Sequence, residues 1–363
     1  MSDSLGTLFR ITSFGESHGK AVGIVVEGCP AGLPLTEADI QPDLDRRRPI
    51  MSTASTSRRE ADEVVILSGV HGGHTTGAPL CLLAWNRDAD SSAYEHLTNI
   101  PRPGHADYTA YVKYAGLADP RGGGRFSGRI TAGFVMAGAV ARKVLAAHNI
   151  EILAHTIAIG GIEARAMDIK DIRRLAPLSA LNCADTAAEK RMLKAIEAAR
   201  EAGDSLGGVV EVQALGVPAG WGEPVFSTAD GELARAYLAV PAVKGIEFGV
   251  GFKAATLKGS ENNDPFIIRD GAVTTTTNKA GGILGGITSG QAVVARIAIK
   301  PTPSIARNQR SVNLETMTET DITIAGRHDA CIVPRAVVVM EAMTAVVLCD
   351  LGRQAGTLSG VMK

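Results

Sequence analysis

Short apolar runs broken by glycine and proline dominate the chain, and they predict strands more often than long helices. Leu8–Thr12 reads as a first strand, and Ala21–Glu27, almost continuously apolar, as a second. After Pro30-Ala31-Gly32, Thr36 and Asp39 form a capping box opening a helix that ends in Arg46-Arg47-Arg48 before Pro49. Positive charge suits that end of a helix. Val64–Ser68, Leu80–Trp85, Gly208–Leu215 and Gln291–Ile299 follow as strands, and Glu151–Ile162 as extended chain. Thr131–His148 is expected to be a long helix with one apolar side, where Ala132, Gly133, Ala137, Gly138 and Ala141 permit close packing. Ala187–Glu201 has the pattern of a charged surface helix, and Ala229–Leu238 is a further helix. Pro334–Leu351 is a strongly apolar last helix with proline in its first turn. Gly259–Pro265, polar and turn-rich, reads as a mobile loop.

Strands and helices do not alternate steadily, which argues against a doubly wound parallel sheet and for an α+β fold. Gly19–Gly32 reads G-K-A-V-G-I-V-V-E-G-C-P-A-G, and Gly207–Gly220 reads G-G-V-V-E-V-Q-A-L-G-V-P-A-G. Each is a strand, then G-x-P-A-G, then a helical segment. Two readings stand: an internal repeat with halves near residues 1–150 and 200–363, or chance likeness of two glycine- and valine-rich strands. Either way the chain is expected to form one catalytic domain over residues 1–363.

Composition narrows the partners. With 37 basic residues against 38 acidic ones, nothing draws the chain generally to nucleic acid or membrane, so local arginine clusters suit a specific small anion. Aromatic residues are only 4% while glycine numbers 41; small side chains bury little area each, so a homo-oligomer is expected to add burial. Cys29, Cys81, Cys183, Cys331 and Cys349 are scattered, odd in number and free of C-x-x-C spacing, as in a reduced cytoplasmic protein. Neither a signal peptide nor an apolar stretch long enough for a bilayer is visible.

Four segments set arginine and histidine among glycine and proline: Gly15–Gly19, Arg102–Asp107, Arg121–Arg129 and Gly326–Asp329. Glycine admits close backbone approach, arginine grips carboxylate or phosphate, and histidine moves protons near neutral pH. Gly15-Glu16-Ser17-His18-Gly19 matches the G-x-S-x-G elbow of serine hydrolases, but a strand follows where that elbow needs a helix. His71-Gly72-Gly73-His74 has no carboxylate nearby, so it reads as a turn and no metal is assigned. Gly281–Gly286 precedes a strand and reads as a tight turn or a phosphate cradle. Three arginines around Gly122-Gly123-Gly124 would repel one another without a bound anion, unless they lie exposed and screened by salt. The unaided residues indicate a small-molecule enzyme or an anion-binding protein, with His18, His105 and Asp329 as proton-transfer candidates.

F-G-E-S-H-G, D-L-D-R-R-R-P, R-P-G-H-A-D, R-G-G-G-R-x-S-x-R-x-T, V-K-G-I-E-F-G, A-G-G-I-L-G-G-I-T-S-G-Q, K-P-T-P-S and G-R-H-D-x-C occur here in the order they have in chorismate synthases. The chain resembles that family over nearly its whole length. The resemblance implies a β-α-β sandwich of antiparallel sheets and helices and a homotetramer. It also implies anti-1,4-elimination of phosphate from 5-enolpyruvylshikimate 3-phosphate to give chorismate, a carbon–oxygen lyase reaction of the shikimate pathway toward aromatic amino acids. The cofactor it implies is reduced FMN from an external flavin reductase; NADPH as a weak or external reductant stays open. By resemblance His18, His105 and Asp329 are catalytic. Arg125, Phe126, Ser127, Pro241, Ala242, Gly285, Lys300, Pro301, Thr302, Pro303, Ser304 and Arg327 contact flavin, and Ser17, Arg47, Arg48, Arg102 and Arg129 contact substrate. The chain departs from the commonest family pattern at Ile50, Thr53, Phe126, Gly128, Ile130 and Pro241, where Arg58 or Arg59 would have to compensate for an arginine missing near Thr53. These departures motivate a second reading, a noncatalytic paralogue that binds flavin or a phosphorylated metabolite.

Overall fold

The structure is a computed structural model that describes residues 3–48, 62–87, 99–324 and 329–362. Two five-stranded antiparallel sheets enclose two long helices. The first sheet runs, edge to edge, Ser4–Leu5, Arg10–Gly15, Ala21–Glu27, Leu80–Trp85, Val64–Ser68. The second runs Val243–Phe248, Val293–Ile299, Gly208–Leu215, Glu151–Ile159, Ile162–Glu163. Helix Thr131–Ala146 packs on the first sheet, helix Val333–Gln354 on the second, and the two helices pack on each other. The layers are therefore sheet, helices, sheet: the α+β, β-α-β sandwich that the resemblance implied.

Most of the elements that the periodicity named lie within two or three residues of their expected bounds, while helices Asp107–Tyr114 and Ile169–Leu175, strand Val243–Phe248 and the later short hairpins were not named; the differences have physical reasons. The strand expected at Leu8–Thr12 runs Arg10–Gly15, preceded by the short strand Ser4–Leu5, because the amides of Thr7, Leu8 and Phe9 turn away to donate to the buried carboxylate of Asp350 at 2.7–3.0 Å. Helix Glu37–Arg47 has the expected box, with Thr36 N donating to Asp39 Oδ2 at 2.8 Å. Thr131–Ala146 is buried on every side rather than on one, since it lies between a sheet, a second helix and Glu37–Arg47. Gly259–Asn262 forms one helical turn where a loop was expected.

The second sheet repeats the connections of the first. In the runs beginning at Arg10 and at Glu151, four main strands pair in the order first, second, fourth, third, with a helix after the second strand and a long helix at the end; the second run also carries Ile162–Glu163 and helices Ile169–Leu175 and Thr186–Glu201 between its first two strands. The shared G-x-P-A-G segments also take one shape. Gly28 and Gly216 both have φ of 74°, and a Cβ on either would strike a backbone carbonyl, that of Leu8 or of Asn149.

Small residues set the spacing of the middle layer. A Cβ on Gly138 would lie 2.2 Å from the Ala342 side chain of the facing helix, and one on Gly133 would lie 2.8 Å from the Gly23 carbonyl. The same layer holds a buried charge network: Glu341 accepts two hydrogen bonds from Arg46, one from Arg142 and one from the Ala154 amide. A buried carboxylate so fully paired fixes how the layers register. Gly138→Ala should lower unfolding free energy by about 1–3 kcal/mol in urea denaturation, the range for overpacking a tight core; an unchanged midpoint would contradict the close crossing.

Candidate functional site

The Arg10–Gly15 strand ends in a turn, Glu16–Gly19, before the chain returns as Ala21–Glu27. That return strand rules out the helix that a hydrolase elbow requires. Ser17 is buried, and its amide donates to the Gly124 carbonyl at 3.2 Å. Gly122, Gly123 and Gly124 have φ of 58°, 82° and 52°, a left-handed run open only to glycine at low cost. A Cβ on Gly122 would lie 2.4 Å from His18 Nε2 and 2.9 Å from Ser17 Oγ. A Cβ on Gly123 would lie 3.2 Å from His105 Nε2 and 3.6 Å from Arg102 Nη2. Bare backbone thus brings His18 and His105 to adjacent residues of one turn.

His105 belongs to a closed loop, Arg102–Asp107. Arg102 is buried; its Nε and Nη2 donate to the two oxygens of Asp107 at 2.7 and 2.8 Å, and its backbone amide adds a third bond at 3.0 Å. His105 Nδ1 lies 2.5 Å from Asp107 Oδ1. Burial by itself would raise the Asp107 pKa, but the hydrogen bonds from Arg102 and His105 outweigh it and hold the carboxyl well below the usual carboxylate range. The Lys300–Ser304 segment closes the other side. Ser304 Oγ accepts from Arg102 Nη1 at 3.3 Å, Lys300 Nζ donates to the Gly104 carbonyl, and the Lys300 amide donates to Ala242 O at 2.9 Å. Burial and then the charge of Lys244 push the Lys300 ammonium below its ordinary value. A cavity of about 90 Å³ lies here, lined by Arg102, Asp107, Asp119, Gly123 and Phe126 among others. A larger hollow of about 320 Å³, between Leu35 and Ile66, lies away from all of these groups.

A second cluster is built around Asp62. Arg47 and Arg129 are buried, and both donate to its carboxylate. Burial opposes ionisation of Asp62, but the two guanidinium charges prevail and lower its pKa. Arg47 also donates to Thr131 Oγ1 and the Gly128 carbonyl, and Arg129 to Asn86 Oδ1. Asn86 ties this cluster to the first, donating to the carbonyls of Glu16 and Gly19 at 3.0 and 2.8 Å. Asp329 is buried and accepts from Arg335, whose Nε donates to the Arg47 carbonyl at 3.1 Å.

The remaining expected residues sort by position. Arg48 pairs with Asp45, Ser127 Oγ accepts from the Arg129 amide, and Phe126 packs near Tyr114. Pro241 precedes Ala242, which holds the rare φ of 73°. Gly285 lies in the turn between Ile283–Leu284 and Ile287–Thr288, whose next residue, Gly286, abuts Thr228. Arg327, Ile50, Thr53, Arg58 and Arg59 lie outside the described residues. Ile130 is buried in the core, where its apolar side chain belongs.

The expected repulsion among three arginines does not arise. Arg121 pairs with Asp119, Arg125 with Asp3 and the Gly15 carbonyl, and Arg129 with Asp62, which it shares with Arg47, so each has a carboxylate beside it. Sequence reasoning passed over Asp62, Asn86, Asp107, Asp119 and Arg335. Only Asp107 carried a local signal, a carboxylate two residues after a histidine. The others come from distant segments that only the fold joins. His71 and His74 make a hairpin turn as expected, and the described residues contain no cluster of metal-ligand type.

Comparison with known proteins converges on one family. A profile described as Chorismate synthase matches residues 9–352. A chorismate synthase of Dehalococcoides mccartyi is 55% identical over 363 residues, covering 100% of both chains. One of Methanosarcina mazei is 53% identical over 345 residues, covering 95% of this chain and 94% of the relative. A solved structure titled Crystal Structure of Chorismate Synthase superposes with a TM-score of 0.78 at 31% identity, covering 97% of this chain and 94% of the other.

Because the folded-state pKa of Asp62 lies below its unfolded value near 3.8, its stabilisation is complete above that value and is lost as pH falls below it. Asp62→Asn leaves two buried arginines without their anion and should cost about 3–5 kcal/mol at pH 7. In urea denaturation the gap between wild type and Asp62→Asn should narrow below about pH 4; a gap independent of pH would contradict the pairing.

Proposed function

The chain belongs to the chorismate synthase family, and from that premise we propose that it eliminates phosphate from 5-enolpyruvylshikimate 3-phosphate to give chorismate, with reduced FMN as cofactor. The observation that carries the proposal is the meeting of His18 and His105 on the adjacent glycines 122 and 123, with Arg102 and Lys300 beside them. Two histidines and two cations around one turn suit a reaction in which an anion departs and a proton must be supplied.

The residues fit a flavin. Thr302 Oγ1 is buried with no hydrogen-bond partner among the described residues, in the Lys300–Ser304 segment next to the His105 loop, and Gly123, having no Cβ, lets bare backbone lie beside the His105 ring. Lys300, Thr302, Ser304 and Ala242 are the residues beside this loop that would hold it, with Arg102 on the side assigned to substrate. When bound, reduced FMN supplies electron density to the breaking carbon–oxygen bond, chemistry beyond any side chain. His18 supplies a proton to the departing phosphate, with Asp119 nearby; the Arg121 hydrogen bond, with a smaller contribution from His18, keeps that carboxyl below its usual pKa. His105, with Nδ1 against Asp107, turns Nε2 to the cofactor edge, where it would exchange a proton. Asp329, ion-paired with Arg335, would assist removal of the proton lost from substrate.

The same reading makes the protein a cytoplasmic homotetramer of the shikimate pathway, supplied with reduced flavin by a separate reductase. Its five cysteines are free, and burial pushes the Cys29 and Cys331 thiols up to about 12, where they resist oxidation. The test is anaerobic: the enolpyruvyl phosphate with photoreduced FMN, followed by chorismate absorbance. Wild type should turn over, and His105→Ala and Asp329→Ala should each lose about 100-fold or more in kcat. Folded wild-type protein that binds FMN without elimination would replace this reading with the noncatalytic one; near-wild-type rates in either variant would show its role misassigned.

A further inference from the structure

His105 Nδ1 has two neighbours that make opposite demands on it. Asp107 Oδ1 lies at 2.5 Å and Arg102 Nη2 at 3.0 Å. A guanidinium only donates, and an ionised carboxylate only accepts. If Nδ1 carried a lone pair it would satisfy Arg102 and face the carboxylate lone pair to lone pair; if it carries hydrogen it satisfies Asp107. The distances decide for the second case. Arg102 Nη2 already donates to Asp107 Oδ1 at 2.8 Å, so Arg102 loses little, whereas a bare nitrogen 2.5 Å from a carboxylate oxygen would be strongly repulsive.

We propose that Asp107 is the positioning residue of this site: it keeps hydrogen on His105 Nδ1, so that the uncharged ring takes the Nδ1–H tautomer with its lone pair on Nε2, beside Gly123 and 3.4 Å from Arg102 Nη2. Three features equip Asp107 for this. It is the first residue of helix Asp107–Tyr114, where the free amides of a helix start favour a carboxylate. It accepts from the Arg102 side chain through both oxygens and from the Arg102 backbone, so the Arg102–Asp107 loop is one closed, rigid ring. Its charge is balanced by Arg102 within the ring, and Lys300, bonded to the Gly104 carbonyl, is the other cation at the loop.

A consequence concerns Arg102. Its Nε–Nη2 edge is spent on Asp107, and Nη1 points to Ser304 Oγ. Arg102 therefore acts through the geometry of its loop and through Nη1, not as a two-pronged grip on a substrate anion. Both statements concern the ligand-facing side of His105 and rest on the elimination reading above, but the tautomer itself can be measured without turnover.

Protein labelled with ring-15N histidine, examined by solid-state NMR above the ring's titration and assigned with His105→Gln, reports which nitrogen carries hydrogen. Wild type should show His105 with hydrogen on Nδ1 and a bare Nε2. Asp107→Asn, whose amide can donate as well as accept, should populate the other tautomer and lose about 100-fold in kcat, with KM moving about threefold or less. Hydrogen on Nε2 in the wild type would overturn the proposal, and so would an Asp107→Asn protein with wild-type tautomer and kcat. If Asp107→Asn fails to fold, the wild-type spectrum decides. A wild type that shows the Nδ1–H tautomer but forms no chorismate would overturn the elimination reading and still support the role of Asp107.

Discussion

Three consecutive residues with left-handed φ, Gly122 to Gly124, are the constraint on which the site depends. Any side chain there meets something fixed: the His18 ring at Gly122, the His105 ring at Gly123, and the Asp119 carbonyl, 2.3 Å from a Cβ, at Gly124. The turn is therefore a strip of backbone against which two histidines from separate segments can rest. Neither histidine segment alone could bring its ring to the other, because they are 87 residues apart at His18 and His105 and belong to a strand end and a helix start.

Around that turn the charges are arranged before any ligand arrives. Asp62 holds Arg47 and Arg129, Asp107 holds Arg102, Asp119 holds Arg121 and Asp3 holds Arg125. Burying a guanidinium without a partner is prohibitive, so each buried arginine has a carboxylate in place, Arg47 and Arg129 sharing the single charge of Asp62. The result is a set of arginines fixed in direction, which lowers the entropy lost when an anion is bound. The Glu341 network does the same for the middle layer, joining Arg46 and Arg142 to the Ala154 amide of the second sheet. The site and the scaffold thus share Glu37–Arg47, where Arg46 points to the core and Arg47 to the site.

Much of the fold was legible in local pattern. Val64–Ser68, Leu80–Trp85, Gly208–Leu215 and Ala229–Leu238 stand where apolar alternation and turn residues put them. The first strand did not, because its start is set by Asp350, more than 300 residues away along the chain. Thr131–Ala146 read as one-sided because a row of alanine and glycine looks polar-neutral in a periodicity, whereas in three dimensions those residues are what allow a second helix to touch it. His18 and His105, the proton-transfer candidates, were visible as histidines beside glycine. Asp62, which pairs with Arg47 and Arg129, Asn86, which pairs with Arg129, and Arg335, which pairs with Asp329, were not, since pairing across the fold leaves no trace in spacing. The three glycine-flanked arginines misled for the same reason, each having a carboxylate or carbonyl partner that the local segment does not disclose.

The central claim is that the Gly122–Gly123 turn is where the reacting ligands meet. The most direct measurement is a crystal structure of the protein with oxidised FMN and the enolpyruvyl phosphate bound together. The account predicts the phosphate within hydrogen-bond distance of His18, and the flavin between His105 and the Lys300–Ser304 segment. Both ligands bound elsewhere, with neither histidine touching them, would contradict it.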